Sequence, residues 1–261
     1  MARAGAFLVL LLLSGCVAPP ADAPPEEERI FAWDLLDCRT AVAFVPVAKE
    51  ALAPHLPEGF TPAGGVADVE AAIGVEAFLC ESGAGLDGAR VAPIVYGALF
   101  AGAAPPEELR VDGVDVYWVK WDTLIPDAPR RNALAAEGLP VRDGSASIVA
   151  GVGTLVRMSM TLEGVGAFRV EGATEATDTT YDDEIRVAEY MPTNEGLARW
   201  SMTSPTARSR YGSGTLEMAP DSIVARIVGA TTVPAILDVG AWSFTNGTIE
   251  PRVRSAAPSD R

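Results

Sequence analysis

Few side chains in this 261-residue sequence are of types that carry out catalysis, and the scarcest types limit the options most. His55 is the only histidine, and it lies between Pro54 and Leu56 beside a turn signal. A Ser-His-Asp triad would have to be built around it, but the chain has no G-x-S-x-G elbow, so we interpret His55 as a surface or packing residue. The sequence also has no C-x-x-C or H-E-x-x-H spacing and therefore predicts no metal site.

Lysine chemistry is confined to two positions, Lys49 and Lys120. Lys49 belongs to a short amphipathic segment and is most simply a solvent-facing helix residue. Lys120 lies between Trp118 and Trp121 in an aromatic strand predicted over residues 112–122. If Lys120 faced an interior, its aromatic neighbours would favour the neutral amine, the form that attacks a carbonyl carbon. The sequence gives more weight to the alternative, an exposed strand lysine whose stem covers a neighbouring ring.

Two further patterns resemble ligand-binding motifs, one for a dinucleotide and one for calcium, but neither has the sequence context that its motif requires. Residues 83–88 satisfy G-x-G-x-x-G, but a strand-like segment follows where a dinucleotide site needs a helix, so we predict a hairpin loop. Residues 178–184 hold an acidic cluster that lacks the spacing of a calcium loop, and we expect it to be solvated. The sequence therefore predicts no cofactor.

The first 29 residues carry an export signal rather than part of a folded domain. Arg3 precedes a short apolar run that ends in Leu13-Ser14-Gly15-Cys16, a pattern that resembles the bacterial lipobox. We expect residues 1–15 to be a lipoprotein signal peptide, Cys16 to be the lipidated residue, and residues 16–29 to be a tether rich in proline and glutamate. The protein is accordingly predicted to be anchored in the bacterial cell envelope, at the outer membrane on its periplasmic or surface side in a Gram-negative cell.

Composition limits the partners and the number of domains. The formal net charge of -15 argues against nucleic acid and against adhesion to anionic lipid, so we expect membrane contact through the lipid anchor alone. The length and a hydrophobic content of 49% fit one large domain with a substantial core. We expect that domain to span residues 30–251 and residues 252–261 to form a disordered tail. The oligomeric state is left open.

Strand-like segments dominate the predicted domain. Residues 41–45, 71–80 and 90–100 read as strands, and many short segments separated by glycine follow after residue 144, which is typical of a meander or a barrel. A helix is predicted over residues 126–137, and residues 221–230 fit either a helix or a strand by periodicity.

The predicted segments also include a loop, a turn and a pair of cysteines. We expect residues 174–184 to loop out, and Asn246-Gly247 to mark a turn within a closing strand over residues 239–249. Cys38 and Cys80 each lie at the end of a predicted strand, and the sequence leaves open whether they form a disulfide or remain two buried thiols.

The order of these segments resembles the acetoacetate decarboxylase-like superfamily. In residues 38–62 a strand leads into a short helix and the turn Leu56-Pro57-Glu58-Gly59, as at the start of that superfamily. Near the other end, Gly212-Ser213-Gly214-Thr215-Leu216 is followed by Pro220, an apolar segment and a final strand, again in the superfamily's order. The resemblance covers most of residues 38–250. It implies an α+β, mostly β fold, in which a curved antiparallel sheet closes into a barrel with short flanking helices.

The resemblance also implies an activity, from which this chain departs at the decisive position. Decarboxylases of the superfamily use a lysine as Schiff-base nucleophile, in a Pro-Lys-Lys sequence just after a helix. The corresponding place here is Leu139-Pro140-Val141-Arg142, where valine replaces the nucleophile and the guanidinium of Arg142 cannot form an imine. The superfamily's acid has no firm match, since Glu76 and Glu81 both lie nearby.

The sequence therefore favours binding over catalysis. We predict that the barrel binds a small apolar, keto or carboxylate ligand without covalent chemistry, with Arg39, Arg90 and Arg142 as anchors and Trp118 in the cavity wall. Two alternatives stay open: a Schiff-base lyase of decarboxylase or aldolase type that uses Lys120, and a structural envelope protein. An ammonium group buried beside an acid would favour the lyase. A cavity too small for a short acid would favour the structural role.

Overall fold

The computed structural model describes residues 31–64, 69–91, 93–150 and 154–253. The predicted signal peptide, the lipidation site Cys16, the tether and residues 254–261 of the predicted tail lie outside the described residues. Within the described ranges, no helix is both long enough and apolar enough to cross a membrane.

Strands make up most of the described chain, and its helices are short. The strands are β1 (Phe31–Ala32), β2 (Leu35–Pro46), β3 (Thr61–Pro62), β4 (Ala72–Ala84), β5 (Arg90–Val91), β6 (Ile94–Ala104), β7 (Val116–Leu124), β8 (Val141–Arg142), β9 (Gly144–Ala150), β10 (Leu155–Leu162), β11 (Gly166–Thr174), β12 (Thr179–Tyr181), β13 (Ile185–Thr193), β14 (Gly196–Ser204), β15 (Ala207–Met218) and β16 (Thr232–Glu250). The α-helices are α1 (Lys49–Leu52), α2 (Ala128–Ala136) and α3 (Ile223–Val228), and short 3₁₀ helices cover Ala53–His55 and Glu107–Leu109.

Seven of these strands close into a ring. Their order is β14-β13-β7-β6-β4-β2-β16, and β16 pairs back onto β14. Neighbours are antiparallel except β7 and β13, which run parallel, as do β7 and the short strand β8. The predicted mostly β fold with short helices is confirmed, and the closure that the sequence predicted takes the form of this ring within a single sheet.

The remaining strands extend the sheet and cover one outer side of the ring. Beyond β16 the order continues through β15, β11, β10 and β9. On β2, Ala41, Ala43 and Val45 point outward into a core shared with this extension, whereas Val42 and Phe44 point into the ring. Burial on both faces explains why β2, β4 and β6 read as nearly continuous apolar runs rather than as alternating ones.

Local signals mark both ends of α2 and of α3. Asp127 caps α2 by accepting a hydrogen bond from the backbone N–H of Arg130 at 3.0 Å, and Gly138 takes a left-handed φ of 80° just after the helix. The ambiguous segment at residues 221–230 is helical, because Ser222 caps α3 in the same way and Gly229 ends it at φ 71°. The glycine-rich segment at residues 83–88 is a hairpin between β4 and β5, as predicted.

Two predicted loops belong to strands instead. Asn246 adopts a left-handed φ of 55° but lies inside β16, which continues to Glu250. A Cβ on Gly247 would lie 1.5 Å from the Trp33 carbonyl oxygen. Asn246-Gly247 therefore marks a bend where β16 approaches the backbone of Trp33 closely, and it is not a hairpin turn. The predicted loop at residues 174–184 contains β12, which pairs with the β15 segment Ala207 to Ser209 and brings Tyr181 to the ring interior.

A disulfide joins two adjacent ring strands. Cys38 of β2 pairs directly with Cys80 of β4, and their sulfurs are 2.06 Å apart. Of the two alternatives that the sequence left open, the structure therefore contains the disulfide.

Removing this disulfide should destabilise the ring. The bond closes a sequence separation of 42 residues, and the lost constraint on the unfolded chain is worth about 2–4 kcal/mol. The double variant Cys38→Ser/Cys80→Ser should therefore unfold at a lower urea midpoint than the oxidised wild type. The wild type assayed in reductant is the matched control and should move in the same direction. Coinciding midpoints for all three samples would show that the bond is absent in solution.

Candidate functional site

The ring holds a partly open cavity of about 300 Å³, which is at the lower end of the range of small-molecule sites. Most of its wall is apolar or aromatic, including Val42, Phe44, Phe78, Phe100, Trp118 and Phe244. Its polar wall residues include the carboxylates of Glu76, Glu189 and Asp238. A short organic molecule fits this volume, so the size criterion for a purely structural role is not met.

The aromatic wall depends on a glycine. A Cβ on Gly74 of β4 would lie 2.2 Å from the Phe100 ring, so only glycine leaves room for that ring to pack over the strand. Phe100 then contacts Phe44 and Trp118 at centroid distances of 5.7 and 4.8 Å. The position of Trp118 in the cavity wall agrees with the sequence-based expectation.

Lys120 lies inside the ring and is fully buried. Its Nζ is 2.7 Å from Glu76 Oε1 and 2.6 Å from Glu189 Oε2, and it also donates a hydrogen bond to the Tyr96 hydroxyl. We call these four residues the Lys120 cluster. The interpretation of Lys120 as an exposed strand lysine is wrong, because β7 lies between β6 and β13 in a closed ring and the alternation of β7 turns Lys120 inward.

The surroundings of the Lys120 cluster are apolar and aromatic. Nζ is 4.5 Å from the ring centroid of Tyr96 and 5.2 Å from that of Trp200. Trp200 in turn packs edge-on against Trp33 and Tyr96. Little water can therefore screen the charges of the cluster, and its members interact more strongly than a surface ion pair would.

The amine lies one layer behind the cavity wall. Glu76 and Glu189 belong to the wall, whereas Lys120 and Tyr96 are not among the described wall residues. Nζ donates hydrogen bonds to Glu76 and Tyr96 and forms an ion pair with Glu189. A ligand in the cavity therefore meets the two carboxylates before it can reach the amine.

Burial raises the pKa of Glu189, one of the two carboxyl groups in the Lys120 cluster, to near neutral pH. Desolvation raises the pKa of Glu189 from 4.5 to about 7; the charge of Lys120 opposes the increase and that of Glu76 adds to it. Burial also raises the pKa of Tyr96 well above its ordinary value, so its hydroxyl stays protonated. Glu189 is thus the member of the cluster suited to gain and release a proton under physiological conditions.

The structure does not bring the three predicted arginine anchors to the cavity. Arg39 is exposed, because the alternation of β2 sends Thr40 into the ring and Arg39 away from it. Arg90 is exposed and donates to Ser82 Oγ at 3.0 Å. Arg142 is exposed and forms an ion pair with Asp122 at 2.7 Å. No cationic side chain lies among the described wall residues of the cavity.

Val141, which occupies the position where the resemblance expects the nucleophilic lysine, lies close to Lys120 in the sheet. Val141 belongs to β8 and pairs with Thr123 of β7, three residues from Lys120. An amine is therefore present in the same part of the ring, on the neighbouring strand. His55 is exposed, as expected, and no metal-binding group of three or more suitable side chains occurs in the described ranges.

Glu189 and Tyr96 were not predicted from the sequence, and Glu76 was not distinguished from Glu81. A usable signal was present, since Glu76 and Glu189 are each a single acid inside an otherwise apolar strand segment. A charged side chain buried on both sides by apolar neighbours needs a partner, and Lys120 is one of only two lysines that could supply it. The pairing itself depends on which strands become neighbours in the ring.

Comparisons with known proteins identify the fold. A scan against models of protein families finds no match, and a search of curated protein sequences finds none either. Among solved structures, acetoacetate decarboxylase from Legionella pneumophila aligns with a TM-score of 0.51 at 9% identity, over 88% of this chain and 92% of that chain. An acetoacetate decarboxylase-like enzyme from Sphingomonas wittichii RW1 aligns with a TM-score of 0.51 at 14% identity, over 90% and 98%.

A third structure extends the range of neighbours. The enduracididine biosynthesis enzyme MppR complexed with pyruvate aligns with a TM-score of 0.51 at 13% identity, over 87% of this chain and 91% of that chain. The chain therefore has an acetoacetate decarboxylase-like fold, and its identity to each of these structures is low. The neighbours that share this fold are enzymes.

Lys120→Met should unfold far more easily than wild type, because it leaves two buried carboxylates without their cation. Breaking a buried ion pair from one side costs about 3–5 kcal/mol, and the loss should shrink at low pH as the carboxyls take up protons. Lys49→Met is the matched control, since the ion pair of Lys49 in the described ranges is an exposed one with Glu70 at 3.7 Å. Urea denaturation of both variants at pH 8 and pH 5 checks this. Equal stability of the two variants would contradict the burial of Lys120.

The pH dependence of stability should carry the signature of Glu189. Its folded-state pKa of about 7 lies above its ordinary value of 4.5, so its contribution to stability is fully present below about pH 4.5 and is lost as the pH rises to about 7. The free energy of unfolding of wild type, minus that of Glu189→Gln, should therefore fall across this window. A difference that is flat or rises with pH would contradict the assignment. Taking the difference removes the similar contribution of Asp238.

Proposed function

We propose that this chain is an enzyme that binds a small carbonyl compound in the ring cavity and forms an imine with it through Lys120. The observation that carries the proposal is the Lys120 cluster: a fully buried amine in aromatic surroundings, in contact with a carboxyl group whose pKa is about 7, directly behind the wall of a cavity. A buried ammonium group beside an acid supports a Schiff-base lyase over binding alone.

The first step of the proposed reaction is a proton transfer within the Lys120 cluster. Glu189 accepts a proton from the ammonium of Lys120, which leaves a neutral amine and a neutral acid in a site from which water is largely excluded. Protonation removes the charge that draws Glu189 toward Nζ, and its side chain can then turn aside to admit the carbonyl group. This movement is required because Glu76 and Glu189 lie between Nζ and the cavity.

Bond formation then follows with a complete proton balance. The neutral amine of Lys120 attacks the carbonyl carbon, and one of its two hydrogens moves to the carbonyl oxygen to give a neutral carbinolamine. Glu189 then donates its proton to the carbinolamine hydroxyl group, which leaves as water. The nitrogen keeps a hydrogen and becomes a cationic iminium, which the carboxylate of Glu76 stabilises as it stabilises the ammonium before reaction. The Tyr96 hydroxyl holds Nζ in position throughout.

The reaction class that fits this intermediate is a Schiff-base carbon–carbon lyase. An iminium draws electrons from the neighbouring carbon and eases cleavage of a bond one carbon further on. The cavity wall carries three carboxylates and no cationic side chain among its described residues, so it gives no support to a substrate carboxylate. An aldolase-like cleavage therefore suits the wall better than decarboxylation of a keto acid.

Non-covalent ligand binding is the second candidate. Two observations favour it: Val141 lies where the family's nucleophile is expected, and the Lys120 ammonium is already held by Glu76, Tyr96 and Glu189. In this version Lys120 only fixes Glu76 and Glu189, and those carboxylates bind the ligand. We also propose that a lipid anchor at Cys16, as expected from the sequence, holds either activity at the bacterial cell envelope.

Borohydride trapping separates the two candidates. Wild-type protein incubated with a small ketone or aldehyde and reduced with borohydride should gain the mass of the carbonyl compound less its oxygen, on the peptide that contains Lys120. Lys49→Met should label equally well and Lys120→Met should not label on this part of the chain. Glu189→Gln should label at least tenfold more slowly because it lacks the proton acceptor. If Lys120 stays unmodified with every carbonyl compound while ligand binding is measurable, the non-covalent candidate is correct.

A further inference from the structure

The cavity contains a second polar group on the side away from the Lys120 cluster. Asp238 of β16 pairs with Val42 of β2, and Val42 pairs with Glu76 of β4, so the two acids lie in one row across three adjacent strands. A strand spacing of about 4.8 Å puts their Cα atoms about 10 Å apart. A short ligand that reaches the Lys120 cluster at one end therefore faces Asp238 at the other.

The carboxylate of Asp238 is buried and incompletely satisfied. The residue is only 9% exposed, and its Oδ1 has no hydrogen-bond partner in the described part of the chain. Burial raises its pKa to about 6, and a hydrogen bond from the buried Ser209 side chain opposes the increase, so the group is mainly ionised at neutral pH. Unpartnered buried carboxylate oxygens are rare in folded proteins, and one in a cavity wall is a natural contact for a ligand.

Among the described residues, the neighbours of Asp238 in the cavity wall supply hydroxyl groups and no positive charge. Tyr211 of β15 is its direct cross-strand partner, and the Tyr211 hydroxyl lies 2.7 Å from that of Tyr181. Both tyrosines belong to the cavity wall. The ammonium of Lys120 is already shared between Glu76 and Glu189, so within the described residues the charge of Asp238 has no counter-ion. This side of the cavity therefore attracts a cation.

We propose that Asp238 binds a cationic nitrogen group of the substrate through an N–H donor, and that the substrate is a small carbonyl compound with an amine on a short chain beyond its carbonyl group. The placement of the carbonyl end rests on the function proposed above, since it assumes that Lys120 is the reacting amine. The nitrogen group donates a hydrogen bond to the unpartnered Asp238 Oδ1. The apolar wall between the two polar groups contacts the connecting carbon chain.

Three ketones of matched shape test this inference on the full chain. The cationic probe is 5-(dimethylamino)pentan-2-one, the neutral probe is its isostere 6-methylheptan-2-one, and the anionic probe is 5-oxohexanoate. Each is reduced onto the protein with borohydride, and the labelling rate at Lys120 is compared. Binding of each probe without reduction is measured in parallel by calorimetry, which needs no imine.

Wild type should label and bind the cationic ketone about tenfold better than the neutral one, the gain typical of one charge-assisted hydrogen bond, and the anionic ketone worst. In Asp238→Asn the ratio of cationic to neutral ketone should fall to about one. Asp122→Asn, which removes a half-buried carboxylate outside the cavity wall, should keep the wild-type ratio. The ratio within each variant cancels any general effect of the substitution on folding.

The two proposals fail in different ways. If the cationic probe binds selectively and the selectivity disappears in Asp238→Asn, but no probe is trapped at Lys120, then the imine proposal fails and the Asp238 site stands. If the probes are trapped at Lys120 with equal efficiency, or if Asp238→Asn keeps the preference for the cation, then the role of Asp238 is refuted.

Discussion

The structure depends on how it accommodates one buried charge. Lys120 can lie inside a closed ring of strands only because Glu76, Tyr96 and Glu189 supply the contacts that water would otherwise provide. These four residues come from β4, β6, β7 and β13, which are consecutive neighbours in the ring. The Lys120 cluster therefore links four strands across their inner faces, and any opening of the ring there exposes all of its charges together.

The outer and inner faces of the ring strands have different surroundings. The outer faces of β2, β4 and β6 pack against the extension formed by β9, β10, β11 and β15 and build an apolar core, which includes Leu99, Met158 and Phe168. The inner faces hold the aromatic wall and the carboxylates. A second apolar cluster, which includes Phe78, Tyr96 and Trp200, fills part of the ring interior, and the cavity takes up the space beside it.

Local features of the sequence predicted local structure well. The helix predicted over residues 126–137 is present as α2, whereas residues 221–230 fitted a helix or a strand equally well although Ser222 and Gly229 mark the ends of α3. The order of segments along the chain was also sufficient for the resemblance that indicated the fold.

Features that depend on distant strands could not be read in the same way. Whether the face of Lys120 points to water or to an interior depends on β13 and on the closure of β16 onto β14, which pair residues far apart in the sequence. The arginines were chosen for their charge, but charge alone favours the surface, and Arg39, Arg90 and Arg142 are exposed. Glu189 was not predicted because its role depends on Lys120, which is about 70 residues away in the sequence. Short-range sequence patterns do not show which distant residues become neighbours.

The burial of Lys120 is the claim on which the account rests, and competitive amine labelling tests it directly. The folded protein would be treated with an amine-reactive ester too bulky for a cavity of about 300 Å³, and the modification of each lysine would be followed by peptide mass spectrometry. The account predicts that Lys49 is modified readily and that Lys120 is modified only after denaturation, since the two side chains are 48% and 1% exposed. Modification of Lys120 in the folded protein at a rate comparable with that of Lys49 would contradict it.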